Sequence, residues 1–221
     1  YGVNLDSLSE EQVMQAVGQL KEELQNSINE FKTAYAQKKV DNEDYVSFLK
    51  KYSDYLIIEK PSTWDNLSFM VEYQFGYMYG RYLLWNFVGK QNDVQGRYDN
   101  LDGNWISGID FVDEIHLGKG TQTNLTEDIK NNKGRNVYYF LPFLIGLIGL
   151  MYHAQKDLKS FYVLLVLFLF TSFALKIFLN ERPFEPRERD YALVGSFYVF
   201  AIWIGFGVYA IYEIVAGYIK S

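Results

Sequence analysis

The chain has no cysteine among its 221 residues and only two histidines, His116 and His153. Disulfides and thiolate metal sites are therefore excluded, and a histidine-built metal centre is not expected. We expect no metal and find no evident cofactor motif. Excess positive charge is missing too: 21 Lys and Arg against 27 Asp and Glu leave a net charge of −6, with no basic stripe. That argues against nucleic acid as a partner. No apolar run opens the chain, which starts on a polar segment and closes on an apolar one; the expectation is a piece of a larger membrane protein. Proline is scarce, and two of its four copies, Pro183 and Pro186, fall in one short stretch.

That stretch, residues 180–191, reads NERPFEPRERDY, with seven charges in twelve residues. It lies between two strongly apolar runs, 160–179 and 192–219. At 1.5 Å of rise per residue, each can cross a hydrocarbon core about 30 Å thick. A short, charge-dense loop between two such runs belongs at a membrane face, and the prolines stiffen it by fixing φ and removing two donors. Arg182, Arg187 and Arg189 are interleaved with four acids. Two uses fit this pattern. One is a solvated turn whose charges pair with one another; the other is an anion site in which guanidinium forks grip a lipid phosphate. The residues leave both open.

The mean hydropathy of −0.13 averages a polar half, ending near Arg135, with an apolar one. We divide the chain into 1–60, 61–136 and 137–221. In the first part, Ser9 to Gln12 fits a capping box, and Val13, Val17, Leu20, Leu24, Ile28, Phe31 and Tyr35 form one helical stripe. Asp41 can cap a second helix, so a soluble helical hairpin is predicted. In the second part, residues 66–88 hold Glu72, Gln74 and Arg81 amid dense Tyr, Phe and Trp, with Ser62 or Asp65 as cap. This predicts a helix at the membrane interface, Tyr and Trp toward lipid, Glu72 and Arg81 toward protein or water. A buried core helix is the competing reading. Residues 89–114 form a Gly-, Asn- and Asp-rich structured loop that gathers Gln91, Asn92, Asp93 and Trp105 and matches no phosphate loop or metal-ligand spacing. In the third part, three transmembrane helices are predicted. The first, 137–152, offers Gly146 and Gly149 to neighbours; the second, 160–179, lets Lys176 snorkel from its end; the third, 192–219, holds Glu213, which needs a partner. The fold class is thus all-α integral membrane. Counting Lys and Arg alone places the polar half in the cytoplasm.

The blocks EYQFGYMYGRYLLWNFVGKQNDVQG, GNWISGIDFVD, YYFLPFLIGLIGL and NERPFEPRERDYALVGSFYVFAIWIG resemble, in order, the middle of the large bacterial membrane proteins of domain-of-unknown-function family 2723. That family is similar to the protein O-mannosyltransferases, with a polytopic C-class glycosyltransferase fold. The likeness covers most of residues 66–207 and none of 1–60. It implies a multi-pass protein of the bacterial inner membrane that takes sugar from a polyprenyl-phosphate donor, with the polar half in the periplasm, against the charge count. It also implies that Arg81, Arg182, Arg187 and Arg189 meet lipid-linked phosphate, and that Gln91, Asn92, Asp93 and Trp105 face sugar or acceptor. The catalytic carboxylate of such enzymes lies in a first external loop absent here, so no catalytic residue is assigned. Membrane lipid, the donor and the remainder of a larger protein or partner subunits are the implied partners. A non-catalytic membrane scaffold of an envelope assembly is the alternative.

Overall fold

In the computed structural model, residues 10–37, 39–55, 60–118, 124–181 and 189–220 are described. The chain is 74% helix and 3% strand, which places it in the all-α class. Helix α1, Glu10–Ala36, and α2, Asn42–Tyr52, form the expected hairpin. Phe31 stacks on Phe48 at 4.1 Å between ring centroids and tilts against Tyr45 at 5.8 Å. At 27 residues, α1 is about 40 Å long against about 16 Å for α2. Its first half therefore projects, leaving Met14, Val17 and Leu20 exposed. The proposed cap at Ser9 lies outside the described residues.

Asp41 caps α2 as its side chain suggests. Its Oδ1 accepts from the Asp44 N–H at 2.8 Å, and Asp44 answers the Asp41 N–H at 3.3 Å. This bonding, ahead of the nearby Arg97, holds the Asp41 carboxyl below its ordinary range. A depressed folded-state pKa contributes stability above the unfolded value near 3.9, and that contribution fades as pH falls through the folded value. Asp41→Ala is thus expected to lower hairpin stability by about 1 kcal/mol at pH 7. Thermal melts should show the gap to wild type closing below about pH 4; a gap unchanged at pH 2.5 would refute the role.

Helix α3 occupies 63–87 in three continuous pieces: Thr63–Ser68, a π-helical stretch Phe69–Gly80, and Arg81–Phe87. Ser62 is the cap, reciprocated by Asp65. The aromatic side chains do not mark a lipid face. Tyr73, Tyr79, Tyr82 and Trp85 are buried, because they close on the second apolar helix: Phe75 and Tyr79 meet Phe173 edge-on at 4.8 and 4.9 Å. Only Trp64, Leu67 and Val71 remain outward as large apolar groups on this helix. The second half of α3 matches the competing reading, a core helix.

Strands β1, Gly89–Lys90, and β2, Asn136–Val137, pair antiparallel and bracket the loop. Between them lie helix α4, Asp110–Leu117, and a short α5, Glu127–Lys130. Asp113 is fully buried and accepts from the Ser107 N–H, the Ser107 hydroxyl and the Gly108 N–H, at 2.7, 2.9 and 2.9 Å. Three donors offset its desolvation.

The apolar half begins with α6, Leu141–Lys156. At 16 residues it spans about 24 Å, short of a hydrocarbon core. Asp157 turns the chain and caps α7, which covers 158–179 with a π-helical stretch at Phe170–Ala174. A 3-10 turn, Asp190–Leu193, leads into α8, Val194–Lys220. Two helices, Leu158–Leu179 and Asp190–Ile219, are long and apolar enough to cross a membrane, and little of either is buried. Helices α6 and α8 run parallel: Phe143 stacks on Phe200, and Tyr152 lies by Tyr209 and Glu213. Gly149 and Gly207 let the two backbones touch. A Cβ on Gly149 would fall on the Trp203 carbonyl oxygen. Glu213 finds its partner in the Tyr152 hydroxyl, 2.9 Å, and Lys156, 3.3 Å.

Lys176 does not snorkel. It is 1% exposed and its Nζ lies 2.5 Å from Glu181 Oε2. Helix α7 ends just after it, at Asn180, with φ +40 and ψ +51. This left-handed turn, which Asn tolerates, brings the chain back so that Glu181 meets Lys176 inside the protein.

Candidate functional site

Arg81 opens the last piece of α3 and is 3% exposed. Its guanidinium carbon lies 4.2 Å from the Tyr77 ring centroid and 4.6 Å from those of Tyr82 and Trp85. Cation–π attraction replaces part of the lost hydration. Its terminal N–H donates to the Gly103 carbonyl at 2.6 Å, and its Nε–H to the Tyr77 carbonyl at 3.2 Å. The loop closes over it at Gly96, where a Cβ would come within 2.7 Å of the guanidinium and 2.6 Å of the Tyr77 hydroxyl. That hydroxyl accepts from the Tyr98 N–H at 2.8 Å.

Tyr77, Arg81 and Tyr98 line a cleft of about 260 Å³, with Glu72, Gly76, Asp99, Asn104, Trp105 and His116 completing its walls. Trp105 stacks on His116 at 4.1 Å and meets Phe140 edge-on. Burial first, then the Glu72 charge, pushes the Tyr98 phenol up, so it stays a neutral hydroxyl at physiological pH. Aromatic faces, neutral hydroxyl and amide groups, one buried cation and the Glu72 and Asp99 carboxylates suit the binding of a small polar ring.

The root of the charged loop belongs to the same neighbourhood. The Lys176 Nζ stands 5.5 Å from the Tyr82 ring, which Arg81 also flanks. The Gln74 amide donates to the Asn180 side chain at 3.4 Å. Two cations more than 90 residues apart in sequence thus share one buried phenol.

Of the expected site residues, the structure brings Arg81 and Trp105 together in the cleft. Gln91 and Asn92 are buried, and their side chains fasten the loop. The Gln91 oxygen accepts from the Asn104 backbone and side-chain N–H groups at 3.1 and 3.2 Å, and its amide donates to the Leu101 carbonyl at 3.0 Å. The Asn92 oxygen accepts from Gly103 at 2.9 Å and its amide donates to Asp102 at 2.8 Å. Asp93 is exposed, beside Gly134. Arg189 precedes the 3-10 turn, half-buried, its carbonyl accepting from the Ala192 N–H. Arg182 and Arg187 lie outside the described residues. Lys176, Tyr77, Tyr98 and His116 are additions. A lysine near the far end of an apolar helix, five residues before a glutamate, is a sequence signal for the first; the others are assembled by the loop and carry none.

No family model, curated protein or solved structure matches the chain.

Proposed function

We propose that the chain is a segment of a membrane glycosyltransferase of the C class that takes sugar from a polyprenyl-phosphate donor, and that it supplies part of the donor or acceptor cleft. The observation that carries this reading is the convergence of Arg81 and Lys176 on Tyr82. It joins the aromatic, polar-walled cleft to the root of the arginine loop, where α7 ends. In this reading α6, α7 and α8 all cross the bacterial inner membrane, the short α6 in a thinned region. The polar half is periplasmic, function having fixed arginines there against the charge rule. Arg187 and Arg189 take the donor phosphate, with the catalytic carboxylate on another part of a larger protein.

The test is binding of polyprenyl phosphate by the purified chain in detergent, wild type against Arg187→Lys and Arg189→Lys. Lysine keeps the charge but loses the fork, so at least one variant should bind about tenfold more weakly. Wild-type affinity in both would leave only a turn whose charges pair locally.

One observation favours a second reading, a scaffold in an envelope assembly: Met14, Val17 and Leu20 are exposed along the projecting half of α1. A chain that binds no polyprenyl phosphate would favour it.

A further inference from the structure

At the end of the apolar helices remote from the arginine loop, a groove of about 650 Å³ opens between α6, α7 and α8. Its polarity is graded along the helix axis. The mouth holds Lys156, Asp157 and Ser160 from the α6–α7 turn, with Tyr152 and Tyr209 beside them. From one to two turns up α8, about 5 to 10 Å from Tyr209 toward the middle of the apolar helices, the floor becomes Phe206, Gly205 and then Ile202. Gly205 notches this floor: a Cβ there would meet nothing within 4 Å. Tyrosines beside charged groups, followed inward by His153 stacked on Phe206 and then by apolar surface, follow the order of a bilayer leaflet.

The charges at the mouth choose the occupant. Two of the groove's lining residues are charged, the cation Lys156 and the carboxylate Asp157, with Glu213 pairing to Lys156 from outside the groove. Lys156 lies 3.3 Å from Glu213, while Asp157 holds the first turn of α7 by accepting from the N–H groups of Lys159 and Ser160 at 3.1 and 3.3 Å. The Ser160 hydroxyl, which donates to Asp157 at 2.7 Å, and then those backbone bonds keep the Asp157 carboxyl below its usual range, so it is charged at neutral pH. A purely anionic headgroup entering here meets the Asp157 carboxylate. A headgroup carrying phosphate and a primary ammonium meets an opposite charge for each.

We infer that this groove is a site for a zwitterionic aminophospholipid, its ammonium toward Asp157, its phosphate toward Lys156 and one acyl chain along Ile202, Gly205 and Phe206. The site rests on the membrane-spanning part of the proposed function and on none of its glycosyltransferase chemistry.

The test places the purified chain in nanodiscs made from an equal mixture of phosphatidylethanolamine and phosphatidylglycerol, then counts retained lipids by native mass spectrometry after release. Wild type should keep one phosphatidylethanolamine in preference to phosphatidylglycerol by on the order of tenfold. Gly205→Trp, which fills an open notch, should lose that lipid while circular dichroism stays unchanged. Asp157→Asn keeps a capping side chain but removes the charge, so the preference should collapse toward parity with the helix intact. Equal retention of both lipids by wild type, or an undiminished preference in both variants, overturns the site alone. A chain that does not enter nanodiscs at all overturns the membrane reading and this site with it.

Discussion

Gly149→Ala is expected to be among the most damaging single substitutions in the apolar half. The added Cβ would fall on the Trp203 carbonyl oxygen and the Gly207 nitrogen. Both obstacles are backbone, so no rotamer change relieves them and α6 must move away from α8. Overpacking of this kind costs about 1–3 kcal/mol even where side chains can adjust, and the cost here should reach or exceed the upper end. Gly205→Ala is the control. It has the same chemistry on the same helix pair with open space around it, and it should be neutral or slightly stabilising because alanine favours helix. Thermal unfolding of both variants in detergent decides the matter. Equal melting temperatures would mean that the two helices are not in backbone contact.

Lys176→Met is the second substitution with a large expected effect. It keeps the volume and leaves Glu181, also buried, without its cation; the Glu181 Oε1 already has no hydrogen-bond partner among the described residues. Removing one member of a buried pair costs about 3–5 kcal/mol. The double variant Lys176→Met with Glu181→Leu removes both charges and should recover most of that loss. If the single and double variants melt together, the pair is not the connection that holds the charged loop to α7.

The sequence was informative wherever the signal is local. The helical period of α1, the caps at Asp41 and Ser62, and the two long apolar runs each rest on residues within a few positions of one another, and each forms a helix or cap as expected, although Val17 and Leu20 of the α1 stripe stay exposed. Gly146 and Gly149 announced close packing because a missing side chain has few other uses on an apolar helix. The site was legible only in part. Arg81 and Trp105 stood out as residue types, but the partners that give them meaning come from Gly96, Tyr98, Gly103 and His116, fixed by loop hydrogen bonds that follow no period. Gln91 and Asn92 looked like groups offered to a ligand. Whether a polar side chain in a loop binds outward or fastens the loop depends on carbonyls ten or more residues away. The inward turn of Tyr79, Tyr82 and Trp85 was illegible for a related reason: aromatic density marks an interface equally well whether the far side is lipid or protein.

The π-helical stretch of α3 bears on how such a site can be lost over evolutionary time. At its end the Arg81 N–H donates to the Gly76 carbonyl, five residues back, and so the wide turn sets the rotation at which the last piece of the helix leaves. Each residue in an α-helix advances the chain by about 100° around the axis. A one-codon deletion between Phe69 and Gly80 that restored ordinary turns would keep every aromatic residue type in the segment. It would also swing Arg81, Tyr82 and Trp85 as a group away from Lys176 and the cleft, while Thr63–Ser68 stayed in place. Among chains with this block of residues, the count between Ser68 and Arg81 is therefore a better mark of the same site than the identity of any one tyrosine within it.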